Sequence, residues 1–219
     1  MRNTLILAAM LAAVPFASSA QDMSYNYVEG GWTHLKINSD DLGNPKGDGA
    51  YIRGSMAIAP QVFVFGGYSQ ASKSYRYEDA IYVDGSYYDV RAKYTINQPE
   101  LGIGYHVAFT ENLDFVADAS WQRLEGKIKV SVLGESDSIK DHLNIGRVTA
   151  GVRGKPSART EAWIKAGYFD GSDVDYVFDN QFVGIAGLQV SINRTWGIVG
   201  EAQFYDGATQ ASIGVRASF

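Results

Sequence analysis

The amino-acid sequence predicts an all-β fold: a transmembrane, antiparallel, up-and-down β-barrel of ten strands, with eight strands as the alternative. Apolar and polar residues alternate along most of the 219 residues, which is the pattern of strands with one apolar and one polar face. No stretch approaches the roughly 20 consecutive apolar residues that a spanning helix needs. Because no helix is predicted to cover the apolar faces, we expect them to face lipid.

The first twenty residues are predicted to be an export signal. Arg2 supplies a positive charge, residues 5–16 form an apolar run, and the small residues 17–20 (Ala-Ser-Ser-Ala) suit a cleavage site. We therefore expect residues 1–20 to be a signal peptide and residues 21–219 to form one barrel domain.

The composition limits the partners and the kind of stabilisation. The formal net charge is −5 and becomes about −6 once Arg2 is removed, which argues against nucleic acid as a partner. The chain has no cysteine, so an exported fold must be held by hydrogen bonds without disulfides. Its 14 Tyr and 24 Gly suit a strongly curved sheet.

The first strand is predicted over residues 24–38, with Val28 and Trp32 towards lipid and Glu29 towards the interior. The pair Gly30-Gly31 leaves open a bulge that would reverse these faces. The second strand covers residues 49–59, and a tight turn at residues 60–61 leads into the third.

Residues 72–96 are predicted to form a hairpin that extends beyond the membrane. The segment is rich in Tyr, and Asp84-Gly85 between two strand-like runs is a strong signal for a tight turn. Strand four then enters the bilayer at about Pro99.

Strands five to ten follow the same alternation. Their outward rows are predicted to begin at Leu113, Val148, Ala162, Phe182, Trp196 and Ala211. An even number of strands puts both termini on one side, the periplasmic side in an outer-membrane barrel. Turns at residue 60 and at residues 107–112, 154–159 and 193–195 are assigned to that side, and loops at residues 134–140 and 170–180 to the outside.

Charged residues of both signs alternate with the outward rows, so we expect them to share the barrel interior. Opposite charges should pair there, because an unpaired buried charge costs several kcal/mol. Ten strands enclose only slightly more space than the eight that side chains can fill. We predict a lumen plugged by this network; a narrow diffusion channel lined by the same residues is the alternative. The predicted network contains Glu29, Arg53, Glu100, Asp114, Asp118, Arg147, Arg153, Glu161, Lys165 and Glu201.

Large aromatic residues of the outward rows fall near the strand ends, as in the two interfacial girdles of a membrane barrel. The outer girdle is predicted to contain Trp32, Tyr68, Trp121, Tyr168, Phe182 and Phe204, and the inner girdle Tyr105, Trp196 and Phe219.

The last strand, residues 209–219, is expected to close the barrel by pairing with the first strand near residues 25–32. Its apolar residues alternate with small or polar ones up to the final Phe219. A terminal strand of this kind resembles the one that outer-membrane insertion machinery recognises. Ile213, Val215 and Phe219 carry this resemblance.

Short motifs along the chain resemble, in their order, a family of small outer-membrane barrels of xanthomonads. The motifs are residues 25–31 (YNYVEGG), 62–68 (VFVFGGY), 102–105 (GIGY), 150–153 (AGVR), 166–168 (AGY) and 193–198 (NRTWGI). This family was once credited with an immune-activating, quorum-sensing role, and its members are treated as ordinary proteins of the outer membrane and its vesicles. The resemblance implies this localisation and brings no settled catalytic residues.

Candidate catalytic and metal-binding residues are few. A hydrolase of the outer membrane would need an activated nucleophile or a water-activating Asp/His group at the outer rim. The histidines are His34, His106 and His142; His106 is predicted beside a periplasmic turn, and Asp141 should point away from His142 on a regular strand. The acidic residues of one loop, Asp170, Asp173, Asp175 and Asp179, are spaced irregularly, so a solvated loop is favoured over a cation site. We therefore predict no catalytic residue, metal or cofactor.

The predicted function is a small, non-enzymatic outer-membrane barrel that contributes to envelope structure and presents extracellular loops. The alternatives are a narrow porin-like channel, and a surface adhesin or ligand-binding barrel that uses the hairpin at residues 72–96. Expected partners are outer-membrane lipids and lipopolysaccharide, and, during insertion, the barrel-assembly machinery and periplasmic chaperones. The barrel itself is expected to be a monomer.

Overall fold

The computed structural model describes residues 23–37, 46–132, 135–171 and 181–219. Within these residues, ten strands form one closed antiparallel barrel in which each strand pairs with its neighbours in sequence and β1 pairs with β10. The strands are β1 (Tyr27–Ile37), β2 (Lys46–Ala59), β3 (Val62–Val83), β4 (Ser86–Thr110), β5 (Leu113–Val132), β6 (Glu135–Ser157), β7 (Thr160–Gly171), β8 (Phe182–Ser191), β9 (Trp196–Tyr205) and β10 (Ala208–Ser218). The predicted ten-stranded barrel is confirmed.

In the described ranges, no helix has the length and apolar character that a membrane span requires. The predicted signal peptide, residues 1–20, lies outside the described residues, as do most of the loop at residues 170–180 and the connection at residues 38–45.

The faces of β1 follow the predicted phase. Glu29 is buried and Trp32 is exposed, and the pairing with β10 runs through Gly30 and Gly31 without a register shift. A Cβ atom on Gly31 would lie 2.1 Å from the backbone oxygen of Ile213, so a side chain has no room where these two strands meet. The glycine pair therefore serves close packing between β1 and β10 and does not form a bulge.

Two periplasmic turns are tighter than predicted. β4 continues to Thr110 and β6 to Ser157, so the turns consist of residues 111–112 and 158–159. The predictions of turns at residues 107–112 and 154–159 were wrong because the apolar alternation weakens where the strands leave the apolar layer, although backbone pairing continues.

A second hairpin extends beyond the barrel where the sequence predicted a loop at residues 134–140. β6 begins at Glu135, and it pairs with β5 as far as Val132 opposite Glu135. The prediction was wrong because residues 135–138 (Glu-Ser-Asp-Ser) are polar on both faces of β6. Neither face contacts lipid or a core there, so the sequence loses the two-residue period that marks a strand.

The outer ends of β3, β4, β5 and β6 form a four-stranded sheet, residues 72–97, 125–132 and 135–142, which we name the extracellular sheet. Its β3–β4 hairpin turns at Asp84 and Gly85, as predicted, with positive φ angles of 49° and 82° that fit a two-residue hairpin turn. Pairing of β4 with β5 continues to Arg91 opposite Ser131. The sheet is therefore continuous with the barrel wall.

The last strand closes the barrel as predicted, since β10 pairs with β1 on one side and with β9 on the other. At its end, the Phe219 N–H donates to the Asn26 carbonyl at 2.9 Å, and the Ser24 hydroxyl donates to the Phe219 backbone oxygen at 2.7 Å. Without β10, two strand edges would lie unpaired in lipid, where each unsatisfied backbone group costs several kcal/mol.

Removing residues 215–219 should abolish folding of the barrel, and removing Phe219 alone should reduce it strongly. The loss should exceed the roughly 1 to 3 kcal/mol of one buried ring, because backbone pairing with β1 is lost as well. The measurement is the heat-modifiable compact band of membrane fractions on gels. Phe109→Ala, which removes an exposed ring near the same end without touching β10, is the control. A compact band from the chain without residues 215–219 would contradict this account of closure.

Candidate functional site in the barrel lumen

The inward rows of the strands bring the predicted charged residues into the lumen. Six are buried (Glu29, Asp114, Asp118, Arg147, Arg153 and Glu161), and four are half-buried (Arg53, Glu100, Lys165 and Glu201). They form three groups at different depths, each of which joins strands that are not neighbours in the sheet.

The central group joins β1, β2, β9 and β10. The Glu29 carboxylate accepts from Arg216 Nε at 2.6 Å and from Arg53 Nη1 at 3.4 Å. Arg53 Nη1 also donates to Glu201 at 2.9 Å, and the other oxygen of Glu201 accepts from Trp163 Nε1 at 2.9 Å. Two carboxylates and two guanidinium groups thus neutralise each other across the barrel.

Arg216 was missing from the predicted network. Its side chain is buried, and its guanidinium lies 3.9 Å from the centre of the Tyr27 ring. The alternation of the last strand already placed Arg216 on the same face as its polar residues. The signal was therefore present in the sequence, but the need for a cation beside Glu29 appears only when β1 and β10 pair.

The second group lies towards the outer end. Arg147 forms an ion pair with Glu100 and donates to Gln203 Oε1 at 3.1 Å and to the Tyr205 hydroxyl at 3.2 Å. Gln122 Nε2 donates to the same Glu100 oxygen at 2.9 Å. A single guanidinium on β6 therefore connects β4 with β9 through the lumen.

The third group extends towards the periplasmic end. Asp118 accepts from Lys165 Nζ and from the Thr149 hydroxyl, both at 2.8 Å. Below it, Arg153 Nε donates to Glu161 at 3.1 Å. These contacts span β5, β6 and β7.

The segment before β1 covers the periplasmic side of these charges. The Tyr25 hydroxyl donates to Asp114 at 2.8 Å, and its ring stacks on His106 with 3.8 Å between ring centres. The Arg153 guanidinium lies 4.7 Å from the centre of the same ring. His106 is thus packed between an aromatic ring and a carboxylate, with its Nδ1 atom 3.5 Å from Asp114.

Apolar side chains fill one wall of the lumen, which the sequence analysis did not predict. Phe169, Val183, Ile185 and Val199 on β7, β8 and β9 are almost fully buried and face inward, together with Ile145. We expected the inward-facing residues to be polar. The signal in the sequence is that these apolar residues alternate with the lipid-facing residues and do not belong to them.

Aromatic rings in the lumen pack flat against glycines on the neighbouring strand. Phe63 lies opposite Gly104, and Trp163 lies opposite Gly187. A Cβ atom on either glycine would lie 2.1 Å from the facing ring. The glycines therefore provide the space that lets large rings lie across the narrow interior.

Little free volume remains at the level of the charges. Among the described residues, one space of about 80 Å³ is bordered by residues of all three groups, and another of about 40 Å³ lies nearer the outer end. Each space is large enough to hold a water molecule, which needs about 10 to 15 Å³. The periplasmic mouth is a wider vestibule of about 1060 Å³, bordered by Tyr25, His106 and the turn residues.

The aromatic residues of the predicted girdles lie exposed on the outer surface of the barrel. These are Trp32, Tyr68, Tyr105, Trp121, Tyr168, Phe182, Trp196 and Phe204. Tyr68, Tyr105 and Tyr168 direct their hydroxyls to Asn97, Gln61 and Gln181, at 3.0, 2.8 and 2.8 Å. Phe109 is a further exposed ring near the inner end. It was not predicted to face outward, because residues 107–112 were assigned to a turn.

The residues that resemble an insertion signal lie on the outer surface of β10 and directly after it. Ile213 and Val215 are exposed, and Phe219 is half-buried at the periplasmic end.

The other histidines do not form a catalytic arrangement. His34 Nδ1 lies 2.9 Å from Asp48 at the outer end, and the Asp141 carboxylate accepts from the backbone N–H of His142. In the described ranges, no three His, Asp or Glu residues are placed to hold a metal ion. The acidic residues Asp173, Asp175 and Asp179 lie outside those ranges.

Comparisons with known proteins agree with this architecture. A family model described as "Outer membrane protein beta-barrel domain" matches residues 4–219. A search of curated proteins found no significant match.

Solved structures with a similar fold come from several Gram-negative bacteria. Ail of Yersinia pestis, solved with the heparin analogue sucrose octasulfate, is 13% identical over 90% of this chain and 100% of that chain, with a TM-score of 0.50. The translocator domain of the autotransporter NalP from Neisseria meningitidis is 12% identical over 100% of this chain and 98% of that chain, with a TM-score of 0.54. The outer membrane protease OmpT from Escherichia coli is 11% identical over 92% and 100%, with a TM-score of 0.51.

At these identities the likeness concerns the fold alone, and the proteins that share it differ in activity. The match of the family model over almost the whole chain carries the assignment. The chain belongs to the family of outer membrane proteins with a β-barrel domain.

Proposed function

We propose that this protein is a non-enzymatic outer-membrane barrel with a closed lumen, which contributes to envelope structure and presents its extracellular sheet to the outside. The observation that carries the proposal is the network of paired charges across the lumen. Arg53 on β2 reaches Glu201 on β9, and Arg147 on β6 reaches Glu100 on β4. These pairs cross the space that a solute would need.

The energetics of buried charge support a lumen that stays closed. Opening a passage at the central group would separate the Arg53–Glu201 pair and leave both charges short of partners. Removing one partner of a buried ion pair typically costs about 3 to 5 kcal/mol. The side chains of Phe169, Val183, Ile185 and Val199 occupy part of the lumen beside these charges and offer no polar atoms to a water-filled path. Both features favour a stiff scaffold over a diffusion channel.

The proposal includes the processing and the partners expected from the sequence. Residues 1–20 act as a signal peptide, and residues 21–219 are inserted by the barrel-assembly machinery with periplasmic chaperones. The mature protein is a monomer among outer-membrane lipids and lipopolysaccharide, and it also enters outer-membrane vesicles. Its motifs support membership of the small-barrel family of xanthomonads.

In planar bilayers the unmodified barrel should show little conductance, and Arg147→Ala should raise it. The substitution removes the guanidinium that joins Glu100, Gln203 and Tyr205, and it should also lower heat resistance in detergent. Arg123→Ala is the control, because Arg123 is paired with Glu125 outside this network. Large, steady openings from the unmodified protein would overturn the closed-lumen proposal and favour a porin.

A surface adhesin is the second candidate function, and the extracellular sheet is the observation that favours it. The β3–β4 hairpin exposes Tyr77, Tyr82 and Tyr87, and β6 exposes Ile139. Aromatic residues on an exposed surface often mark contact sites for other molecules. The hairpin at residues 72–96 therefore remains a proposed adhesive surface.

Replacing residues 73–94 with Asn-Gly tests the adhesive role. The change joins Ser72 directly to Thr95, which lie opposite each other, so a two-residue hairpin should close without disturbing the barrel. Bacteria that display the shortened protein should keep its heat-modifiable band and lose any adhesion that the full protein confers. A matched replacement of residues 128–139, which joins Lys127 to Lys140, separates the two hairpins. Adhesion that survives both replacements would exclude the adhesive role.

A further inference from the structure

The outward face of the extracellular sheet carries a cluster of basic residues, which we name the basic face. It consists of Arg76, Arg91, Lys93, Lys127, Lys129 and Lys140. Like charges lie directly opposite each other on neighbouring strands: Lys93 faces Lys129, and Lys127 faces Lys140. Arg76 likewise faces Arg91.

Such an arrangement is unfavourable in an isolated sheet. Side chains directly opposite each other have Cβ atoms about 4.5 to 5.5 Å apart, and like charges in these positions destabilise the pairing. The protein as a whole is acidic, with a net charge of −5, so the cluster does not follow from a generally basic composition. A surface that concentrates positive charge in this way is suited to an anionic partner.

Two carboxylates near the basic face, Asp89 and Glu125, are already engaged. Arg76 Nε donates to Asp89 at 2.9 Å, and this hydrogen bond lowers the pKa of the Asp89 carboxyl. Glu125 forms an ion pair with Arg123 at 3.1 Å. Neither carboxylate lies directly opposite one of the four lysines, so these lysines remain available to an external anion.

The position of the basic face selects the partner. Lys127 and Lys129 lie on the same face of β5 as Trp121 of the outer girdle, because side chains of one strand face the same way at every second residue. At about 3.3 Å per residue and a tilt near 40°, Lys127 lies roughly 15 Å above Trp121 along the membrane normal. The basic face is therefore continuous with the lipid-facing surface and lies above the level of the acyl chains. Its side chains point away from the lumen, towards the headgroups of the lipids that surround the barrel.

We propose that the basic face binds the phosphate and carboxylate groups on the saccharide of lipopolysaccharide molecules beside the barrel. The inference rests on the outer-membrane placement in the proposed function and adds the surface that makes the contact. An anionic group bound between Lys93 and Lys129, or between Lys127 and Lys140, would attract both ammonium groups and offset their mutual repulsion. Binding would hold the extracellular sheet against the saccharide layer.

The test compares two double variants that each remove two positive charges. Lys127→Gln/Lys140→Gln removes one opposed pair of the basic face, and Arg159→Gln/Arg194→Gln removes two exposed charges from periplasmic turns. Binding of purified lipopolysaccharide to the folded barrel in detergent is measured by titration at low and high salt. We expect the first variant to lose about tenfold in affinity at low salt, with a smaller difference at high salt, and the second to bind like the unmodified protein.

Further measurements separate this site from a merely structural role. Lys127→Gln/Lys140→Gln should keep or raise resistance to heat, because an opposed pair of like charges is removed. Enzymatically dephosphorylated lipopolysaccharide should bind the unmodified protein more weakly. Equal affinity of the two double variants would overturn the proposal. Tighter binding of a soluble sulfated oligosaccharide than of lipopolysaccharide would overturn the assignment to the membrane leaflet.

The bilayer recordings keep the two proposals distinguishable. If the barrel stays closed while both double variants bind lipopolysaccharide equally, only the basic-face proposal fails. If the unmodified barrel conducts while the basic-face variant still loses affinity, only the closed lumen fails.

Discussion

Pairing of charges across the lumen is the interaction on which the rest of this structure depends. In a membrane barrel every second residue of a strand faces inward, and ten strands enclose too little water to hydrate many separate charges. Each inward charge therefore needs a partner on another strand. Glu29 forms ion pairs with Arg53 and Arg216, and Glu201 accepts hydrogen bonds from Arg53 and Trp163. These contacts connect β1 and β10 through side chains as well as through backbone pairing.

Aromatic and apolar residues determine where the charges meet. Phe63 and Trp163 lie flat over glycines of neighbouring strands, and the apolar residues of β7 to β9 fill the wall beside the central group. Tyr25 closes the network from the periplasmic side by its contacts with Asp114 and His106. A barrel filled in this way is a rigid support. The extracellular sheet extends from this support, and its outward face carries the basic residues.

The features that depend on alternation of apolar and polar residues within one strand were predictable from the sequence. Those that depend on which strands meet across the lumen were not. The faces of β1 and the closure by β10 follow from alternation over a few residues, and both match the structure. The outer hairpin of β5 and β6 was missed because residues 135–138 of β6 are polar on both faces and lack that alternation. The ten charged residues of the predicted network face the interior, but their partners depend on strand register and on the depth of each residue. For this reason Arg216, the main partner of Glu29, and the apolar wall emerged only from the structure.

A double-mutant cycle on Arg53 and Glu201 tests the central claim most directly. Unfolding by urea would be measured in lipid vesicles for the unmodified barrel, Arg53→Met, Glu201→Leu and the combined variant. If the two charges stabilise each other across the lumen, each single substitution should lower the free energy of unfolding by about 3 to 5 kcal/mol. The combined variant should be at least as stable as the less stable of the two single variants. The coupling energy should then be about 3 kcal/mol or more. Additive effects of the two substitutions would show that the charges are independently hydrated, and that the lumen is not closed by their pairing.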